Sequence, residues 1–145
     1  MPIQDAIGGN YPTRMTAGYA GMIADTALRD VASKTIETAA VAFGLAVGRG
    51  TADGSVKLSG AGFEGIVVDD KSHTADTYSV GEVAPVARKG AIWVTAGAAV
   101  TPADTVYFAA ATGVISNISA GGTAITGAKF LDTAASGALV RVYLP

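Results

Sequence analysis

The 145-residue sequence contains no cysteine and a single histidine. Without cysteine there are no disulfides, no thiolate-ligated zinc and no cysteine nucleophile. The lone histidine, His73, follows Ser72 in a polar loop. Serine-type hydrolysis needs a serine, a histidine and an orienting carboxylate aligned in space, which adjacency in sequence does not supply. We therefore predict a solvated loop histidine and a protein that is not an enzyme.

Charge is also scarce, since only 15% of the residues are charged where about 25% is usual. The net charge of −2 leaves no basic excess to hold a phosphate backbone, so no nucleic-acid partner is predicted. No run of about 18 uninterrupted apolar residues is present, so no membrane span is predicted. The first residues lack the basic and apolar regions of a signal peptide.

Motifs for metals and cofactors are weak. Asp69, Asp70 and Asp76 share one loop and could ligate a hard cation, but the calcium-loop spacing is missing. The glycine-rich segment 121–127 lacks the Gly-Lys-Ser/Thr ending of a phosphate loop. We therefore predict no bound metal and no cofactor.

The residues that are present favour an all-β domain. Half of the chain is apolar, alanine supplies about a fifth of it, and there are 19 glycines. Valine and isoleucine far outnumber leucine, and their branched side chains suit a pleated surface. Low charge combined with many small side chains indicates that much of the surface is covered in the working state.

Alternation of apolar residues marks the predicted strands. Val41 to Val47 alternate with a period of two, and the segment Lys89–Phe108 forms two alternating arms around a turn. Short strands at 8–12-residue spacing indicate a sandwich or barrel. The candidate core residues are Phe43, Leu45, Val47, Ile92, Val94, Val106, Phe108, Val140 and Val142. Trp93 and Tyr107 fall on the opposite face and are candidate interface aromatics.

Residues 1–35 have a different character from residues 36–145. They have no strict period of two, and glycines interrupt apolar and aromatic residues. Disordered segments are usually rich in charge and poor in aromatics, unlike this one. We therefore predict an extended N-terminal arm that becomes ordered on another surface, ahead of a β-sandwich domain. The candidate contact residues of the arm are Tyr11, Pro12, Arg14, Met15, Tyr19, Met22 and Ile23.

The order of these pieces resembles the structural cement, or decoration, proteins of tailed bacteriophages. The resemblance rests on G-N-Y-P-T-R in the arm, then A-V-A-F-G-L-A-V-G-R-G, F-E-G-I-V-V and G-A-I-W-V…A-D-T-V-Y-F-A-A-A-T-G, and covers nearly the whole chain. It implies a jelly-roll-like β-sandwich on the outer surface of the capsid, within a virion assembled in the host cytoplasm. There it would bridge neighbouring major capsid protein subunits and stabilise the shell. No catalytic residue is implied.

Two other functions stay open. A receptor- or carbohydrate-binding β-sandwich on the virion surface needs exposed aromatics, and the loop 69–79 with Tyr78 is its candidate site. An enzyme of unknown type has little support. Self-association as a dimer or a trimer is expected, because symmetric closure buries apolar surface, and the sequence does not choose between the two.

Overall fold

The computed structural model describes residues 3–4, 10–11, 18–26, 28–70, 72–73 and 75–145. Every regular element in these ranges is a β-strand, so the predicted all-β class is confirmed. No helix among these residues is long and apolar enough to cross a membrane. The strands are β1 (Ile3–Gln4), β2 (Asn10–Tyr11), β3 (Asp30–Ile36), β4 (Val41–Ala42), β5 (Ala46–Arg49), β6 (Ser55–Lys57), β7 (Ala61–Val67), β8 (Thr77–Tyr78), β9 (Val83–Thr95), β10 (Thr105–Ala109), β11 (Ile115–Ser116), β12 (Gly122–Phe130) and β13 (Leu139–Leu144).

A nine-stranded sheet forms the body, in the order β11-β10-β12-β13-β9-β3-β6-β5-β7. Strand β7 also pairs with β9, so the sheet curls and closes a five-stranded ring of β9, β3, β6, β5 and β7. Only the β3–β6 pairing in this sheet is parallel. The remaining described strands form two small sheets, β1–β2 and β4–β8. The result is a partial barrel. The remaining strands of the nine-stranded sheet, β13, β12, β10 and β11, extend from β9, and together with β9 they are called the second sheet below.

Strand β9 is the element that joins the ring to the second sheet. Its first half pairs with β3 and β7, and its second half pairs with β13 from Gly90 to Thr95. The register places Val31 opposite Ala87 and Asp30 opposite Lys89, so Arg88 is an extra residue in β9. A bulge of this kind reverses which side the following side chains face. One strand can therefore supply side chains to two different cores.

Two clusters of buried apolar residues follow from this arrangement. The ring core consists of Ile36, Val41, Phe43, Val47, Val56, Val67, Tyr78, Ala84 and Val86. The second core is centred on Ile92, Val94, Val106, Phe108, Ile115, Phe130, Val140 and Val142. Both are dominated by β-branched and aromatic residues, which pack well between pleated surfaces.

The residues expected in the core lie in these two clusters, with one difference. Leu45 is only half-buried and packs against the edge of the ring core. The alternation from Val41 to Val47 predicted a single strand, but a turn at Phe43–Gly44 separates β4 from β5. Gly44 has a φ of +78°, which ends the strand and takes Leu45 out of register.

The predicted boundary between arm and domain, after residue 35, falls inside β3. Strand β3 pairs with both β9 and β6 and is part of the ring. Residues 18–26 also lie against the body, through a bridge between Ile23 and Ile92. Of the segment expected to be an arm, residues 30–35 therefore belong to the barrel, and residues 18–26 lie against the second half of β9.

Candidate partner-binding surface

Residues 18–24, called the anchor below, run along one edge of β9. The Gly21 amide donates to the Trp93 carbonyl oxygen at 2.8 Å, and the Trp93 amide donates to the Met22 carbonyl oxygen at 2.9 Å. The Ala24 amide donates to the Ala91 carbonyl oxygen at 2.9 Å. These bonds leave β9 on the side away from β13, which pairs with the same residues from the other edge. The anchor thus acts as a short added strand.

A close glycine–glycine crossing holds the anchor in place. Gly21 has a φ of +86°, and a Cβ atom there would lie 2.9 Å from both the Asp69 nitrogen and the Phe43 Cβ. A Cβ on Gly44 would lie 2.9 Å from the Gly21 nitrogen. The Gly21 carbonyl oxygen accepts a hydrogen bond from the Asp69 amide at 2.9 Å. Only glycine combines this backbone conformation with this close approach.

The outer face of β9, β13 and the end of β12 lies next to the anchor, and we call it the Trp93 face. It carries the half-buried Trp93 and Leu139, and Tyr143 and Leu131, which are each 37% exposed. Gly18 packs on the indole, since a Cβ at that position would lie 2.7 Å from the Trp93 Nε1. The anchor therefore crosses β9 at the tryptophan.

The Trp93 face carries the exposed Lys129, opposite Tyr143, and the paired charge of Arg141. The Arg141 Nε and Nη2 atoms donate to the two Asp132 carboxylate oxygens at 2.8 and 2.7 Å. These hydrogen bonds lower the pKa of Asp132 and raise that of Arg141. The Arg141 guanidinium carbon lies 5.8 Å from the centroid of the Trp93 ring, in range of a cation–π contact. The face combines aromatic and aliphatic groups with a paired ion.

The expected arm contacts fall into two groups. Pro12, Arg14 and Met15 lie outside the described residues, and the backbone of Tyr11 belongs to the two-stranded sheet β1–β2. The remaining three, described next, lie within the anchor.

Tyr19, Met22 and Ile23 contact the body of their own chain. Tyr19 is 38% exposed, and its hydrogen bond with the Asp69 carboxylate raises the pKa of its hydroxyl. Met22 is half-buried and pairs with β9 through its backbone. Ile23 packs against the second core. Their role as contacts for a partner stays a prediction.

The two candidate interface aromatics are both half-buried. Trp93 lies under the anchor, as described above. Tyr107 lies in β10 opposite Ser116 and Ala124, and the Gly122 backbone packs near its Cβ. The structure does not bring the two rings to one site, because β13 and β12 separate β9 from β10.

The loop 69–79 does not present its aromatic residue to solvent. Tyr78 is fully buried, and its hydroxyl donates to the Val68 carbonyl oxygen at 2.8 Å. Burial raises the pKa of Tyr78 to about 12. The His73 ring packs edge-on against Tyr78, with the ring centroids 4.8 Å apart. The platform expected for carbohydrate binding is therefore part of the ring core.

Polar groups of the same loop bond to one another. The Ser72 hydroxyl donates to the Asp70 carboxylate at 2.6 Å, and the His73 ring nitrogens lie 3.7 Å from Asp70 and 3.8 Å from Glu82. Ser72 thus donates to a carboxylate and not to the histidine. Among the residues that the structure describes, no group of three histidine, aspartate or glutamate side chains could hold a metal ion.

The functional features that sequence reasoning missed are the glycines and the ion pair. Gly18, Gly21 and Gly44 allow the close backbone contacts that hold the anchor against the body. In the sequence, these glycines indicate only interruptions of regular structure. Arg141 neutralises Asp132 across nine residues. The available signal was the glycine spacing at 18 and 21 within an otherwise apolar stretch.

Comparisons with known proteins agree with this architecture. The family model described as structural cement protein (E217 gp24/Pam3 gp6), a phage family, matches residues 7–144. A chain in the capsid of Myoviridae phage XM1 has a TM-score of 0.75 and 20% identity, covering 92% of this chain and 94% of that one. The head fibre gp8.5 N base of bacteriophage phi29 has a TM-score of 0.51 and 14% identity, covering 81% and 95%. These two likenesses show a shared fold. Comparison with curated proteins gives no match.

Proposed function

The chain belongs to the phage structural cement protein family, and from this membership we propose that it binds the outer surface of an icosahedral phage capsid. There it bridges neighbouring subunits of the major capsid protein and stabilises the shell. The observation that carries the proposal is the family match over residues 7–144, which includes most of the arm as well as the barrel.

The mechanism is thermodynamic linkage. A protein that binds the assembled shell, but not separated subunits, lowers the free energy of the shell by an amount that depends on its concentration and affinity. Many symmetric copies acting on one shell add their contributions. A surface with few charges supports this mechanism, because close packing against another chain then removes little charge from water. Chemistry at a catalytic centre is not required.

We also propose that copies of the chain associate on the shell as a dimer or a trimer. Three exposed valines, Val31 (41%), Val80 (56%) and Val83 (61%), support this, since burying them in a symmetric contact is favourable. The jelly-roll-like sandwich implied by the resemblance also stays a prediction. An experimental structure in which β7 is not paired with β9, leaving two facing sheets, would support it.

Heads of the parent phage made without this chain provide the test. Purified protein is mixed with such heads and, separately, with unassembled major capsid protein, and the bound fraction is measured by sedimentation. We expect saturable binding to heads only, with cryo-electron microscopy density on the outer surface across subunit boundaries. Equal binding to unassembled subunits, density inside the shell or no binding to heads would contradict the proposal.

A further inference from the structure

Strand β3 has a backbone edge that no other described strand covers over most of its length. On one side, β3 pairs with β9 from Asp30 to Thr35. On its other side, β6 pairs only with Thr35 and Ile36. Residues 30–34 therefore form an open edge of the sheet, called the β3 edge below. Unpaired N–H and C=O groups along such an edge are a template for pairing with another strand.

The backbone groups of Val31 and Ser33 point away from β9. The Thr35 amide donates to the Gly54 carbonyl oxygen at 3.0 Å, on the β6 side. In an antiparallel ladder, the backbone groups of every second residue point to the same side. The pairing of Ser33 with Pro85 agrees with this, because Pro85 has no N–H to donate to β3. The β3 edge therefore offers N–H donors and C=O acceptors for which the described part of the chain supplies no partner strand.

The charges at the two ends of the β3 edge match a second copy of the same chain. Asp30 and Lys34 lie four residues apart, with Ala32 midway between them. In an antiparallel pair centred on Ala32, Asp30 of each copy would lie opposite Lys34 of the other copy. A parallel pair in register would instead place like charges opposite each other, which is destabilising. We propose that two copies of the chain pair antiparallel through their β3 edges, about a two-fold axis at Ala32. This inference deepens the proposed self-association and selects the dimer.

The uncharged residues of the β3 edge fit this pairing. Val31 of each copy would exchange N–H···O bonds with Ser33 of the other copy, which makes about four backbone hydrogen bonds in all. The two Ala32 residues would meet at the axis, where their small side chains suit the close approach of a pair without hydrogen bonds. Val31 is 41% exposed, and the opposite Ser33 would cover part of it. The contact therefore satisfies backbone groups and buries apolar surface together.

The charged residues fix the register. A lysine on an edge strand by itself discourages pairing, and here a carboxylate of the other copy would neutralise it. No carboxylate of the described residues forms an ion pair with Lys34. The Asp30 carboxylate accepts from the Arg88 Nη2 atom through one oxygen, at 2.8 Å, and its second oxygen can accept from a lysine. Opposite charges would then meet at both ends of the paired segment.

Charge reversal tests the surface and the register, by sedimentation velocity on the full chain. Because the paired segment is short, we expect a weak dimer, and the titration extends to about 1 mM. Lys34→Asp and Asp30→Lys each place like charges at both ends and should raise the dimer dissociation constant about tenfold or more. Mixing these two variants should restore the dimer as a heterodimer, because opposite charges then meet at both ends. The control Lys129→Asp makes the same charge change three strands away and should alter the constant by less than about twofold.

Amide hydrogen exchange identifies the edge residue by residue. In dilute wild-type protein, the amides of Ala32 and Lys34 should be protected by β9, whereas those of Val31 and Ser33 should exchange fast. Protection of Val31 and Ser33 should then rise with protein concentration. Protection of these two amides at every concentration, in a chain that stays monomeric, would show that the chain covers its own edge and would overturn the inference. Protection of the Val94 and Val142 amides shows that each variant is folded.

The outcomes separate the inference from the proposed function. A dimer or trimer that Lys34→Asp weakens no more than Lys129→Asp would overturn the β3 pairing and leave the proposed self-association intact. A chain that stays monomeric up to about 1 mM would overturn both. Binding to heads is measured independently, so its failure would overturn the proposed capsid function without affecting a dimer that forms in solution.

Discussion

Replacing Ile36 or Ile92 with alanine tests whether the two cores fold as one unit. Ile36 is 1% exposed in the ring core, and Ile92 is 0% exposed in the second core. Strand β9 supplies side chains to both cores, and β7 does the same through Ile66 and Val67. Because damage to either core removes support from the shared strands, we expect each variant to unfold in a single transition.

The expected magnitude follows from the burial of the two side chains. Truncating a fully buried isoleucine to alanine costs roughly 2–5 kcal/mol, through lost transfer free energy and the remaining cavity. In a chain of this size, 1 kcal/mol corresponds to about 3 °C in Tm. Each variant should therefore melt about 6–15 °C below the wild-type chain. Val83→Ala removes methyl groups from a side chain that is 61% exposed and should change stability by less than about 0.5 kcal/mol.

Two probes in one urea titration distinguish the possibilities. Fluorescence of Trp93, the only tryptophan, reports on the outer face of the second sheet, whereas far-ultraviolet circular dichroism reports on all strands. For both isoleucine variants the two midpoints should coincide and shift together. The reasoning would be refuted if Ile36→Ala lowered the dichroism midpoint while the fluorescence midpoint stayed at its wild-type value.

Three further predictions concern the loop, the ion pair and the arm. Tyr78→Phe leaves the buried Val68 carbonyl oxygen without its donor and should cost about 1–3 kcal/mol in urea unfolding. Burial raises the pKa of Tyr78 from 10.0 to about 12. The contribution of the neutral Tyr78 hydroxyl to the free energy of unfolding is therefore complete below pH 10 and is lost as the pH rises towards 12. If the stability of Tyr78→Phe fell between pH 10 and pH 12 as steeply as that of the wild-type chain, this expectation would be contradicted. The hydrogen bond from Arg141 lowers the pKa of Asp132 below its ordinary value of 3.8. The contribution of this ion pair to the free energy of unfolding is therefore present above pH 3.8 and is lost as the pH falls below it. Asp132→Asn should therefore make the free energy of unfolding depend less on pH below about pH 4. An unchanged dependence in this range would show that the ion pair does not stabilise the fold. Deleting residues 1–17 should leave Tm within about 2 °C of the wild-type value by calorimetry, and a larger loss would show that the arm is part of the fold.

Strand periodicity predicted the parts of the structure that depend on local pattern. Ile92 and Val94 alternate with Trp93 in the sequence, and the structure places the first two in the second core and the third on the outer face. The period-two pattern suffices here because β9 is flanked by strands on both edges. Leu45 is less buried than its pattern predicts because the turn at Phe43–Gly44, where Gly44 has a φ of +78°, ends β4 before it.

The ring closure and the anchor could not be predicted from the sequence. Both depend on contacts between distant segments, such as Gly21 with Trp93 and Val67 with Val86. A glycine at residue 21 is compatible with a loop, a bulge or a close crossing, and only the position of Gly44 distinguishes them. The family resemblance indicated the kind of protein without indicating which residues are held within the chain.

Rupture of heads on heating tests the central proposal most directly. Heads made without this chain are titrated with the purified protein, and the temperature at which DNA is released is followed with an intercalating dye. We predict that this temperature rises with protein concentration and reaches a plateau when the outer sites are filled, as linkage requires. An unchanged release temperature on heads that are saturated with the protein would contradict the account.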